Sequence, residues 1–121
     1  MRDDAVYLGH IRTAIERIAD YTADGVDAFL SDPKTQDAVV RNLETIGEAV
    51  KNISGSLKAK HARVPWRLIA GMRDKLIHHY FGVDVRLIWD VVAHDLPQLN
   101  AHIQDILASL PDEGEGGSAA T

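Results

Sequence analysis

Along four stretches of this chain apolar residues recur at spacings of three and four, and no stretch keeps the two-residue alternation of a half-buried strand. That periodicity admits amphipathic helices and little else. The first stripe is Leu8, Ile11, Ile15 and Ile18, in a helix expected from Asp3 to Tyr21 with carboxylates in its first turn. Ala23-Asp24-Gly25 breaks it. A short helical turn from Val26 to Leu30 then leads to Ser31-Asp32-Pro33, a capping side chain followed by a proline suited to a first helical position. The second stripe is Val39, Leu43, Ile46, Val50 and Ile53, ended by Ser54-Gly55-Ser56. A polar, basic loop is expected from Leu57 to Val64. Pro65-Trp66 opens a third helix through Ile69, Met72, Leu76 and Ile77, which reaches about His79 to Phe81 before Gly82 stops it. Asp84 is placed to cap a fourth helix, with Val83 and Ile88 stapled across the cap. Its stripe is Val85, Ile88, Val92, Leu96, Leu99, Ile103 and Ile106, and Pro97, which has no backbone donor, predicts a kink near Ala93 to Leu96.

These helices and their short connections predict an all-α, antiparallel four-helix bundle over residues 1–110, with a short extra helical turn between helices one and two. The chain of 121 residues suits one domain. Residues 111–121 are Gly-rich, acidic and small, and are expected to form a disordered tail. Trp66, Trp89, Phe29 and Phe81 are expected to anchor a core or an interface.

Charge is unevenly spread. Residues 1–50 hold five basic and ten acidic side chains, residues 51–86 eight and two, and residues 87–121 none and six. A basic segment therefore interrupts an acidic protein, and a fold that gathers Lys51, Lys58, Lys60, Arg63, Arg67, Arg73, Lys75 and Arg86 would offer phosphates a positive surface. The bland alternative is a solvated basic stretch. With no cysteine, disulfides and thiolate chemistry are excluded. Neither a signal peptide nor a long apolar span is apparent, so a cytoplasmic protein with no membrane association is expected.

Chemistry concentrates in Gly71-Met72-Arg73-Asp74-Lys75-Leu76-Ile77-His78-His79-Tyr80-Phe81. Arg73 stands beside the apolar stripe of helix three, where an unpaired guanidinium would be expensive, so a carboxylate or a ligand must answer it. Glu44 and Glu48, one turn apart on helix two, are the candidate carboxylates. A structural ion pair and a binding role stay open at this point. Arg73 and His78 are five residues apart, about 140° around an ideal helix, and share a site only if the helix ends or distorts near His78; Gly82 favours such an ending, and a helix terminus facing a second subunit would let both side chains converge. His78 and His79 cannot both face inward, and spacing does not choose between them. The six histidines show no ligand spacing, so no metal is expected; no nucleophile elbow or phosphate loop occurs, and no cofactor is expected.

Arg73 to Tyr80 resembles the Arg-x4-His-x-Tyr signature of HepT proteins in the HEPN superfamily. The surroundings resemble that family too: Leu43-Glu44-Thr45-Ile46-Gly47-Glu48-Ala49, Pro65-Trp66, Tyr80-Phe81-Gly82-Val83-Asp84 and Ile88-Trp89-Asp90, over roughly residues 2–108. The resemblance implies a homodimer whose Arg73 and His78 face a shared cleft. It also implies metal-independent RNA cleavage by a toxin, and a cognate MNT-type nucleotidyltransferase antitoxin that adds AMP to Tyr80. In that scheme Arg73 and His78 are catalytic, Asp74, Glu44 and Glu48 support or orient, and Lys75 and Arg67 steer RNA. Trp66, Met72 and Phe81 beside the motif are expected to be covered by the second copy. The competing class is a non-catalytic helical module that binds a nucleotide or dimerises through the same residues.

Overall fold

The computed structural model describes residues 2–78 and 84–110, with side chains described for residues 3–72 and 84–110. It is an antiparallel helical bundle, with no strand among the described residues. Two long helices form its centre, α1 (Arg2–Tyr21) and α3 (Pro33–Asn52), joined by the short α2 (Val26–Leu30). After α3 come the short α4 (Gly55–Lys60) and then α5 (Trp66–His78). The chain closes with α6 (Val85–Asp90), a π-helical turn (Val91–Asp95) and α7 (Leu96–Ser109), which run on without a break.

All four residues of the first stripe, all five of the second, and Ile88, Leu96, Leu99, Ile103 and Ile106 of the fourth are buried in one core; Val85 and Val92 pack partly against it. α3 is the hub, packed on α1 along one side and on α5 along another. Phe29 of α2 is fully buried and meets Trp89 of α6 with ring centroids 5.5 Å apart, so the extra turn plugs the top of the core.

The caps follow the local chemistry. Asp32 accepts a hydrogen bond from the Lys34 amide and another from the Thr35 hydroxyl at 2.7 Å, with Pro33 in the first turn of α3. Asp84 accepts from the amides of Arg86 and Leu87 and starts α6 as its sequence predicts. Val83, the other half of the expected staple, lies outside the described residues, as do Phe81 and the tail. Pro97 cannot donate to the carbonyl of Ala93, and the turn just before it widens into the π-helical segment, which places the expected irregularity where the sequence predicts it.

The expected loop from Leu57 to Val64 is corrected in its first half. Gly55–Lys60 is a helix, because the Ser54 hydroxyl accepts from the Leu57 amide and Leu57 is buried. Ser54 is itself held by Asp4, whose two carboxylate oxygens accept from the Ser54 amide (2.8 Å) and hydroxyl (2.6 Å). Asp4 is only 3 % exposed, so this one carboxylate ties the start of α1 to the junction of α3 and α4. Among the described residues no helix is long and apolar enough to cross a membrane.

Candidate active site

α5 carries the motif. Its first turn is fixed by three contacts: Trp66 is buried, its indole N–H donates to the His61 carbonyl at 3.0 Å, and the Val64 amide donates to the same carbonyl at 3.1 Å. The covering role expected of a second copy is therefore not needed for Trp66, which is 8 % exposed within one chain. Met72 is half-buried against the same core, and among the described residues of this helix the apolar one left open is instead Leu68, at 75 % exposure.

Along α5 the burial pattern sets a register. Trp66 is buried, Ile69, Ala70 and Met72 are half-buried, and Arg67, Leu68 and Gly71 face solvent. The helix is α-helical through His78. Position 73 stands seven residues after Trp66, and position 78 stands seven after Gly71 and eleven after Arg67. The two motif positions thus straddle the helix, about 140° apart around it and about 7.5 Å along it. The side chains of Arg73, Asp74, Lys75 and His78, and all of His79 and Tyr80, lie outside the described residues.

On the bundle side, α5 lies against α3, which bears Glu44 and Glu48. In antiparallel helices that turn back between Ile53 and Trp66, positions 44 to 48 and 73 stand at comparable depths, so the structure keeps both glutamates on the helix adjoining Arg73. Glu44 is half-buried; Glu48 is exposed and engaged in an interaction, as is Lys51. On the solvent side, Arg67 is exposed at the start of α5, with Lys60 and Arg63 exposed just before it. None of these three has a carboxylate within salt-bridge distance among the described residues. Asp4, which lines a cavity with Lys60, accepts both of its hydrogen bonds from Ser54.

Sequence reasoning missed Asp4, although a signal was present. It stands four residues before Leu8, in register with the apolar stripe, where an uncommitted carboxylate would be unfavourable. Asp4 also lines a cavity of about 180 Å³ with Ser56, Leu57, Lys60, His61, Ser109 and Leu110, at the opposite end of α5 from the motif. Among the described residues no three His, Asp or Glu side chains are grouped to hold a metal ion.

A family model described as ribonuclease HepT-like matches residues 11–106, from Ile11 of the first stripe to Ile106 of the fourth, with all of α5 between them. The chain belongs to the ribonuclease HepT-like family. It is 50 % identical over 101 residues to a protein of Thermococcus cleftensis named probable ribonuclease HepT, covering 83 % of this chain and 92 % of that one. It is also 44 % identical over 115 residues to a provisionally named RNase of Methanocaldococcus jannaschii, covering 94 % and 95 %. A provisionally named RNase of Caldanaerobacter subterraneus is 44 % identical over 108 residues, covering 88 % and 96 %. No solved structure matches the chain.

Proposed function

We propose that the chain is a metal-independent endoribonuclease, the toxin of a toxin–antitoxin pair, working as a homodimer through Arg73 and His78. The observation that carries this reading is the continuous helix from Trp66 to His78, which holds positions 73 and 78 on one element that begins beside exposed Lys60, Arg63 and Arg67. Because the two positions lie on different sides of that helix, a second copy supplies the geometry in which guanidinium and imidazole border one cleft.

His78 takes the proton of a ribose 2′-hydroxyl, a step suited to an imidazole, which can both accept and release a proton. The 2′-oxygen then attacks the adjacent phosphorus while the bond to the 5′-oxygen breaks, and the proton returns to the departing oxygen. The products are a 2′,3′-cyclic phosphate and a 5′-hydroxyl. Arg73 holds two non-bridging oxygens through its planar donors and stabilises the charge that grows on them. Glu44, Glu48 and Asp74 orient these groups, and Lys75 and Arg67 steer the substrate.

Control falls to Tyr80. A partner nucleotidyltransferase transfers AMP from ATP to its phenol, releasing pyrophosphate, and the new phosphodiester places a negative charge beside Arg73 and bulk in the cleft. Incubation with that partner and ATP, followed by intact-mass and peptide analysis, tests this step. An AMP-sized addition lost in Tyr80→Phe, with cleavage abolished in the modified protein, is the expected result; an addition retained in Tyr80→Phe removes Tyr80 from the scheme.

A further inference from the structure

Among the described residues, the cations that lead into α5 have no counter-charge. Lys60 closes α4, Arg63 lies in the turn that follows, pinned by the two hydrogen bonds onto the His61 carbonyl, and Arg67 stands in the first turn of α5. All three are exposed, and none has a carboxylate within salt-bridge distance among the described residues. Asp4 shares a cavity with Lys60 but commits both carboxylate oxygens to Ser54. Cations gathered at one place on a protein of net charge -5 attract an anion there.

The chain itself returns to this place. α7 ends at Ser109, and Ser109 and Leu110 line the same cavity as Lys60 and His61. Residues 111–121, outside the described residues, follow in sequence, and Asp112-Glu113-Gly114-Glu115 brings three carboxylates and no cation. At about 3.6 Å for each fully extended residue, Glu115 stays within roughly 18 Å of Leu110, and Asp112 and Glu113 stay closer. All three carboxylates are therefore tethered near the wall that Lys60 helps to form.

From these cations and the place where α7 delivers the chain, we infer that Asp112, Glu113 and Glu115 dock on Lys60, Arg63 and Arg67 as an internal counter-charge, which a polyanion must displace to bind there. A single exposed ion pair contributes little and is screened by salt. Three carboxylates on a tether of two to five residues act together at a high effective concentration, so the contact holds at low ionic strength and is lost at high. The rival occupant is the same segment of a second copy; the shortness of the tether and its start in the wall of the cavity favour the chain's own. The contact is independent of the ribonuclease reading. Where that reading holds, the docked segment competes with RNA for the same cations.

The test uses the full chain in two arms. In the first, a carbodiimide joins carboxylates to amines in direct contact, in a mixture of isotope-labelled and unlabelled chains, and the linked peptides are identified by mass. Lys60 is joined to Asp112, Glu113 or Glu115 of its own chain, and the yield falls tenfold or more at about 1 M salt, where the screening length is about 3 Å, and at least threefold in Arg63→Ala/Arg67→Ala. In the second, binding of a twelve-nucleotide 2′-O-methyl RNA, which 2′-oxygen attack cannot cleave, is measured at low salt. Asp112→Asn/Glu113→Gln/Glu115→Gln binds threefold or more tighter than the wild type, and the gain disappears when Lys60→Ala/Arg63→Ala/Arg67→Ala is added. Asp20→Asn/Asp24→Asn/Asp27→Asn removes the same charge at the other end of α1, about 24 Å from Asp4 along the helix, and changes binding less than half as much.

The docked segment is overturned if no such link forms, if links join only labelled to unlabelled chains, which seats the segment on a second copy, or if the yield ignores both salt and the loss of Arg63 and Arg67. It is equally overturned if neutralising the segment tightens RNA binding no more than the distant control does, or if neither the wild type nor the neutralised variant binds. Failure of the ribonuclease reading looks different. Unmodified RNA left uncut, with the link and the gain in binding intact, removes the ribonuclease and keeps the docked segment; cleavage with neither removes the docked segment alone.

Discussion

α3 and α5 are packed neighbours that meet opposite demands. α3 buries Val39, Leu43, Ile46 and Val50 completely, begins on a side-chain cap at Asp32, and touches α1, α2 and α5. Nearly everything in it is explained by holding the bundle together. α5 fully buries little among its described residues beyond Trp66, leaves Leu68 open and keeps a glycine where alanine would serve the helix better. Sequence that a fold does not need, on an element the fold holds rigidly, marks the part of the molecule addressed to something outside it.

The sharpest contrast is in stability. Leu43→Ala empties space at the centre of α3 and is expected to destabilise by about 2–5 kcal/mol, a large share of what a domain this size has. Chemical denaturation reads it directly, and a loss under 1 kcal/mol would mean that α3 is not the hub. Next in size is Asp4→Ala, which strips Ser54 of the acceptor for its amide and hydroxyl and should cost about 1–3 kcal/mol. Amide exchange would show α4 opening first; uniform loosening would contradict a local anchor. On α5 the sign reverses. Gly71→Ala is expected to stabilise by roughly 0.5–1 kcal/mol, and a destabilised variant would show that this face is already occupied within the protein.

The smallest effect is one of pH. The hydrogen bond from the Thr35 hydroxyl, aided by the amides of Lys34 and Thr35, holds the Asp32 carboxyl below its ordinary value despite some desolvation. A carboxyl depressed in the folded state contributes stability above its unfolded pKa, and that contribution is lost as pH falls through the folded value. Asp32→Asn keeps a capping oxygen but cannot titrate, so its Tm should fall less steeply than the wild type's below about pH 4. Parallel curves would show that the cap is not charge-assisted.

The same two helices explain what could be read from the sequence. The stripe of α3 and its Ser31-Asp32-Pro33 start are local signals, as are the Asp84 cap and the irregularity before Pro97, because each depends on residues within one or two turns. α4 was not legible. It has a single buried apolar residue, Leu57, and its cap is secured by Asp4, 50 residues away in sequence. On α5 the motif was legible as a spacing and as a family resemblance. The 140° separation of positions 73 and 78 was legible from their spacing of five, and the open space beside Gly71 needed the surroundings that only the fold supplies.

One assay addresses the central claim that the α5 motif performs RNA cleavage by 2′-oxygen attack: wild type, Arg73→Ala and His78→Ala incubated with single-stranded RNA in excess EDTA, with the product ends identified by mass. The account predicts cleavage by the wild type to 2′,3′-cyclic phosphate and 5′-hydroxyl ends, and a loss of at least a hundredfold in each variant with helical content unchanged. Cleavage that EDTA abolishes, or that persists in both variants, would contradict it.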